Sequence, residues 1–124
     1  NTNKYADSYY VAIAIDTIDS NNGKKIYGPV IPISRPHTYY EAKYLIEQGI
    51  ITRSYVCDLY GIEESNMVHF GILSTSKSKA KFLAEQIGGE ESYHDDANYE
   101  KNTLAHYHIS KKRPLHWVHI WYME

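Results

Sequence analysis

The sequence predicts an α+β domain, a largely antiparallel sheet packed by two or three helices. Three observations carry this expectation. Residues 9–18 and 66–73 are apolar runs rich in β-formers, residues 38–49 and 76–89 carry helix patterns with start and stop signals, and the C-terminal third ends in two short segments of alternating histidine and aromatic residues. The resulting order of strand, strand, helix, helix, strand, helix, loop, strand, strand is that of an α+β domain.

The first strand is expected over residues 9–18, where Tyr10-Val11-Ala12-Ile13-Ala14-Ile15 reads as buried. Asp19-Ser20-Asn21-Asn22-Gly23 then turns the chain, and residues 25–33 return as a second strand that Pro29 and Pro32 confine to an edge. Thr38 opens a helix over residues 39–48, with Glu41 completing a capping box and Gly49 closing it. Ala42, Leu45, Ile46 and Ile50 supply its core contacts. A shorter helix follows from Ser54 to Tyr60, stopped by Gly61. Residues 66–73 read as a central strand, and Ser76 or Ser78 caps a helix over 79–87 whose Phe82, Leu83 and Ile87 form one stripe. Residues 90–101 are polar and acidic and read as a loop. The final two strands are His106-Tyr107-His108 and residues 116–122, joined across Lys111-Lys112-Arg113-Pro114.

Length and composition bound the function. A chain of 124 residues, 43% apolar, suits one domain over 1–124 with one core. The start at Asn1, without methionine, suits a C-terminal module of a longer protein. A formal charge of −2, with 13 Lys and Arg spread along the chain, argues against a tight sequence-reading DNA binder and leaves room for a nuclease that must release its product. The single cysteine, Cys57, excludes an internal disulfide and a cysteine-based metal site. No run approaches the length of a membrane span and no signal peptide pattern appears. The thirteen tyrosines combine apolar bulk with a hydroxyl and are expected mostly at the boundary of the core.

The histidines carry the strongest chemical signal. Side chains alternate across a strand, so His106 and His108 share one face and His119 shares a face with Trp117 and Trp121. Imidazole titrates near neutrality, which lets one copy act as base and another as acid. Metal-free RNA cleavage needs that pair: one group removes the 2′-hydroxyl proton and another protonates the departing 5′-oxygen. On this reading His106 or His108 is the base, His119 the acid, Tyr122 orients or stabilises, and Lys111, Lys112 and Arg113 contact phosphate. No cofactor enters that scheme.

Three rivals stand beside it. The first is a metal-dependent hydrolase, in which His106, His108 and His119 form a facial set for zinc, nickel or iron with Asp95, Asp96 or Glu124 as a carboxylate. Ser74-Thr75-Ser76 between a strand and a helix resembles the serine-threonine-serine segment of ADP-ribosyltransferases, for which Arg35 or His37 and a late glutamate, Glu124 or the Glu90-Glu91 pair, would complete the set. A tyrosine-rich binding module without turnover is the non-enzymatic alternative, with histidines as polar anchors or a pH switch. Cys57 lies between Val56 and Leu59 in a helical pattern and reads as a small buried apolar residue, and His37 and His69 read as structural.

The segment Ser76-Lys77-Ser78-Lys79-Ala80-Lys81-Phe82-Leu83-Ala84-Glu85-Gln86-Ile87-Gly88-Gly89, a variable polar loop, His106-Tyr107-His108 and His119-Ile120-Trp121-Tyr122 together resemble the C-terminal toxin domains of bacterial polymorphic toxins. The resemblance covers residues 76–122. Here Met123 follows the aromatic pair where such tails often end in glycine, and the first seventy residues carry no motif of that family. The resemblance implies a barnase-like or colicin-like RNase fold, a metal-independent ribonuclease acting on RNA, a cognate immunity protein as partner, and secretion or delivery into the cytoplasm of a target cell.

Overall fold

A computed structural model describes residues 7–88, 93–95, 105–109 and 118–123, residues 93–95 through their backbone alone. The elements in chain order are β1 (Tyr9–Ile15), β2 (Thr17–Ile18), β3 (Lys25–Ile26), β4 (Val30–Pro32), α1 (Tyr39–Glu47), α2 (Arg53–Tyr60), β5 (Val68–Ser74), α3 (Lys77–Gly88), β6 (Tyr93–Asp95), β7 (His106–His108) and β8 (His119–Tyr122). Six strands form one sheet in the order β4-β1-β5-β8-β7-β6, and β2 and β3 form a separate ribbon. Every pairing in the large sheet is antiparallel except that of β5 with β8. The α+β class is therefore observed.

Period-two alternation divides the sheet into two unlike faces. Tyr9, Val11 and Ile13 of β1, Val68 and Ile72 of β5, Tyr107 of β7 and Ile120 and Tyr122 of β8 join the main core. Tyr39, Ala42 and Ile46 of α1, Val56 and Cys57 of α2, and Ala80, Leu83, Ala84 and Ile87 of α3 meet them there. All three helices thus cover one face. A smaller cluster on the other face consists of Ala12, Ala14, Leu73 and Trp121, with Tyr10 and Val30 packed beside it. None of the described helices lies on that face, and its small residues, Ala12, Ala14 and Gly71, leave room for a cleft.

The helix boundaries follow their local chemistry. Thr38 Oγ1 accepts from the Glu41 backbone N–H while Glu41 Oε1 accepts from that of Thr38, the reciprocal capping box. The second helix starts at Arg53, one residue earlier than the sequence suggests, because Thr52 Oγ1 caps it by accepting from Tyr55 N–H. Gly61, at φ 82°, ends it in the left-handed conformation that glycine adopts without strain. Ser76 caps α3, its Oγ accepting from Lys79 N–H.

Two expectations need correction. Residues 9–18 and 25–33 are not two unbroken strands: the chain leaves the sheet at Asp16, makes the β2–β3 ribbon and rejoins as β4. Asp16 is buried, and its Oδ1 accepts from Gly28 N–H, so a side chain takes the place of a ladder bond. Pro29, which has no N–H to offer a ladder, lies next to that break, and β4 is indeed the edge strand. The polar segment after α3 is also not wholly loop, since β6 pairs with β7 through Tyr93↔His108, His94↔Tyr107 and Asp95↔His106.

Candidate functional site

The terminal hairpin places the histidines as its alternation predicts. β7 and β8 pair antiparallel with His106 opposite Trp121 and His108 opposite His119, so all four side chains leave the same face of the sheet. His106 Nε2 and His108 Nε2 lie 3.1 Å apart. The His119 ring lies 4.9 Å from that of His106 and 4.8 Å from that of His108, and it stacks on Trp121 at 5.0 Å with the planes 13° apart. One nitrogen from each of the three imidazoles falls within 4.8 Å of the others, all three residues being half-buried. Among the described residues these three form the only set placed to hold a metal ion.

The face they occupy is the helix-free one. A fourth histidine joins them from the centre of the sheet: His69 on β5 places its ring 5.6 Å from that of His119. His69 Nε2 donates to Asp16 Oδ2 at 2.6 Å, and Asp16 is only 1% exposed at its side chain against 32% for His69. With Nε2–H committed to the carboxylate, the lone pair of the neutral ring lies on Nδ1. Gly28 N–H holds the other oxygen of Asp16 at 3.3 Å. The carboxylate is therefore fixed from two sides and fixes the imidazole in turn.

A cleft of about 90 Å3 opens at this point, with Asp16, His69, His106 and His119 around it and Ala14 and Trp121 among its apolar walls. Its space comes from residues that lack bulk. Ala14 pairs with His69 across β1 and β5, and Gly71 pairs with His119 across β5 and β8, so neither neighbour fills the ground between the imidazoles. Tyr27 and Gly28, from the segment that leaves the sheet after Asp16, close another side. The break in the first hairpin thus builds the cleft wall.

His106, His108 and His119 are brought together; Tyr122 is not with them. Its side chain points to the helix-covered face, is 2% exposed, and packs against Tyr107 at 6.0 Å between rings. Period-two alternation requires this, because Tyr122 is one residue from Trp121. The role of Tyr122 as an orienting group at the imidazoles is therefore withdrawn. Lys111, Lys112 and Arg113 lie outside the described residues, as do His116, Trp117, Glu90, Glu91, Asp96 and Glu124. Asp95 is described as backbone in β6.

The other candidates occupy structural positions. Cys57 is 1% exposed in the main core, and burial pushes its thiol above the ordinary range, the opposite of what a nucleophile needs. Ser74 ends β5 fully buried, and Ser76 caps α3. His37 Nδ1 faces Glu41 Oε1 at 3.2 Å, and Arg35 reaches the other oxygen of Glu41 at 3.2 Å, so both serve the start of α1. Sequence reasoning missed His69 and Asp16. The available signal was that His69, Gly71 and Leu73 share one strand face, with a glycine leaving space beside the imidazole.

No protein-family model, curated protein or solved structure matches this chain. The functional reading rests on the residues and their geometry.

Proposed function

We propose that this domain is an endoribonuclease of toxin type that cuts RNA in the imidazole cleft. The observation that carries the reading is the Asp16–His69 pair beside the His106, His108 and His119 cluster, on the face opposite the described helices. A carboxylate-held imidazole that lines a cleft can serve as a general base through its other nitrogen, as in other sites where an acid fixes the tautomer. His69 Nδ1 takes the proton of the ribose 2′-hydroxyl, the 2′-oxygen attacks phosphorus, and the bond from phosphorus to the 5′-oxygen breaks. The products are a 2′,3′-cyclic phosphate and a 5′-hydroxyl. The neighbouring cluster supplies the positive charge and the proton that the departing oxygen needs.

This assignment moves the base from His106 or His108 to His69. At 3.1 Å the Nε2 atoms of His106 and His108 face each other, so one donates to the other and neither Nε2 offers a free lone pair to substrate. His69 has no such competitor at Nδ1 in its bond to Asp16. The apolar floor at Trp121 and Ala14 suits a base or ribose lying flat against it. The resemblance of residues 76–122 to polymorphic toxin tails supports delivery into a target cell's cytoplasm and control by a cognate immunity protein covering this face. Among the described residues no helix is long and apolar enough to cross a membrane.

Incubating the purified chain with total bacterial RNA, followed by end-group analysis, tests the proposal. Cyclic phosphate and 5′-hydroxyl ends are expected, with cleavage lost in His69→Gln and in His119→Ala. Intact RNA with the folded parent, or full activity in both variants, overturns it.

A further inference from the structure

We infer that His106, His108 and His119 form a binding site for one divalent transition-metal ion of the zinc class, beside the Asp16–His69 pair. The inference rests on the cleft reading above only for its consequence, since metal uptake is a property of the three imidazoles themselves. Two histidines at i and i+2 on one strand and a third opposite on its neighbour supply three nitrogen donors from two paired strands. In a tetrahedral zinc site with Zn–N bonds of 2.0–2.1 Å, ligand nitrogens stand roughly 3.3 Å apart. His106 Nε2 and His108 Nε2 already stand 3.1 Å apart, and the third nitrogen lies within 4.8 Å of both. The 3.1 Å contact is a hydrogen bond between the two rings, and a tautomer change in the donor ring turns both Nε2 lone pairs to the point they share. Convergence on a shared point is what a ligand set requires.

The donor set selects the ion. Three neutral imidazoles, with no thiolate and no carboxylate in the set, suit zinc, cobalt, nickel or copper and not magnesium or calcium, which demand oxygen. The only cysteine is buried in the main core on the other face, so it is not the fourth ligand. Three protein ligands leave a coordination position for water or substrate, the arrangement of catalytic rather than structural zinc. His106 and His119 both line the cleft, so an ion held by the three imidazoles would lie at its wall, within reach of a molecule in the cleft. Asp16, close by through His69, adds a buried negative charge that favours a cation there. In this form the three imidazoles are ligands, so the ion would supply the charge facing the phosphate and a water bound to it the proton for the departing oxygen.

The test is metal uptake by the full chain after exhaustive treatment with chelator. Calorimetric titration with zinc should give one equivalent, and titration with cobalt should give the intense visible bands of a tetrahedral nitrogen site. His106→Gln, His108→Gln and His119→Gln should each weaken uptake by at least about 100-fold, whereas His37→Gln, at a histidine outside the cleft, should not. Circular dichroism of each variant shows whether it is folded, and cobalt spectra of the parent stand independently of any variant. No uptake by the folded parent, or uptake unchanged in all three variants, overturns the metal site. RNA cleavage measured on the same samples separates the two readings. Uptake with no cleavage keeps the site and removes the ribonuclease; cleavage in chelator with no uptake keeps the ribonuclease and removes the site.

Discussion

Asp16 Oδ2 lies 2.6 Å from His69 Nε2 although 53 positions separate the two residues in sequence. The link forms because Asp16 is the first residue past β1 and His69 lies one step into β5, strands paired with Ile15 opposite Val68 and Ala14 opposite His69. Replacing Asp16 with Asn keeps the shape and can still satisfy one ring nitrogen, but the amide no longer holds the required tautomer. Cleavage by Asp16→Asn should fall by roughly 10³- to 10⁴-fold, the effect of an amide that stabilises the wrong tautomer of a general-base imidazole. The thermal midpoint should move little. A rate equal to that of the parent would show that the pair is structural.

Tyr122 offers a contrasting test. Its hydroxyl lies on the helix-covered face with Tyr107, away from every imidazole of the cleft. Tyr122→Phe should leave the cleavage rate within about twofold of the parent, since nothing that touches the reacting atoms is lost. A loss of stability of about 1 kcal/mol is expected from removing a buried hydroxyl's interactions. A large fall in rate in a stable variant would return Tyr122 to the catalytic set.

The difference between these two residues shows what sequence can carry. The face shared by His106, His108, His119 and Trp121 is a local property, set by alternation within short strands and a hairpin, and it was readable directly. The α1 capping box was readable for the same reason, because Thr38 and Glu41 are within one turn. The Asp16–His69 pair depends on the register of β1 against β5, and the approach of His69 to His119 depends on the parallel pairing of β5 with β8. Neither is a local property: a strand order is chosen by which faces can be buried together, and no residue near His69 announces its partner. The same long-range choice recruits β6 from a segment whose composition alone suggests a loop.

The carboxyl of Glu41 makes stability depend on acid. The Arg35 guanidinium beside it, together with the backbone N–H of Thr38, holds its pKa at about 2, against an ordinary 4.5. A carboxylate whose pKa is depressed on folding stabilises the folded chain above its unfolded pKa and loses that contribution as pH falls through the folded one. The thermal midpoint of the parent should therefore exceed that of Glu41→Gln by a constant margin above pH 5, and the margin should shrink between pH 4.5 and pH 2. Melting curves of the two proteins across that window check it. A margin independent of pH would assign the effect of Glu41 to its shape and not its charge. Since the pair is exposed, added salt should also narrow the gap.

Gly71 ties the fold to the cleft most directly. It lies between His69 and Leu73 on the helix-free face and pairs with His119 across the parallel strands. A Cβ built on Gly71 would fall onto the carbonyl of His119, with the nearest atoms all backbone, so no side-chain rotation can make room. Accepting alanine requires β8 to move away from β5, which weakens the central pairing and carries His119 out of reach of His69 and His106. Gly71→Ala should thus cost about 1–3 kcal/mol or more, as overpacking does, read as a lowered urea midpoint at unchanged slope. Below the unfolding transition it should also lose cleavage and cobalt uptake. Gly49→Ala is the proper comparison: it introduces a Cβ into open space at φ 68°, costs the backbone strain alone, and leaves His119 in place. If Gly71→Ala loses stability but keeps both activities, the cleft tolerates displacement of β8, and the close approach of His69 to His119 is not what makes it work.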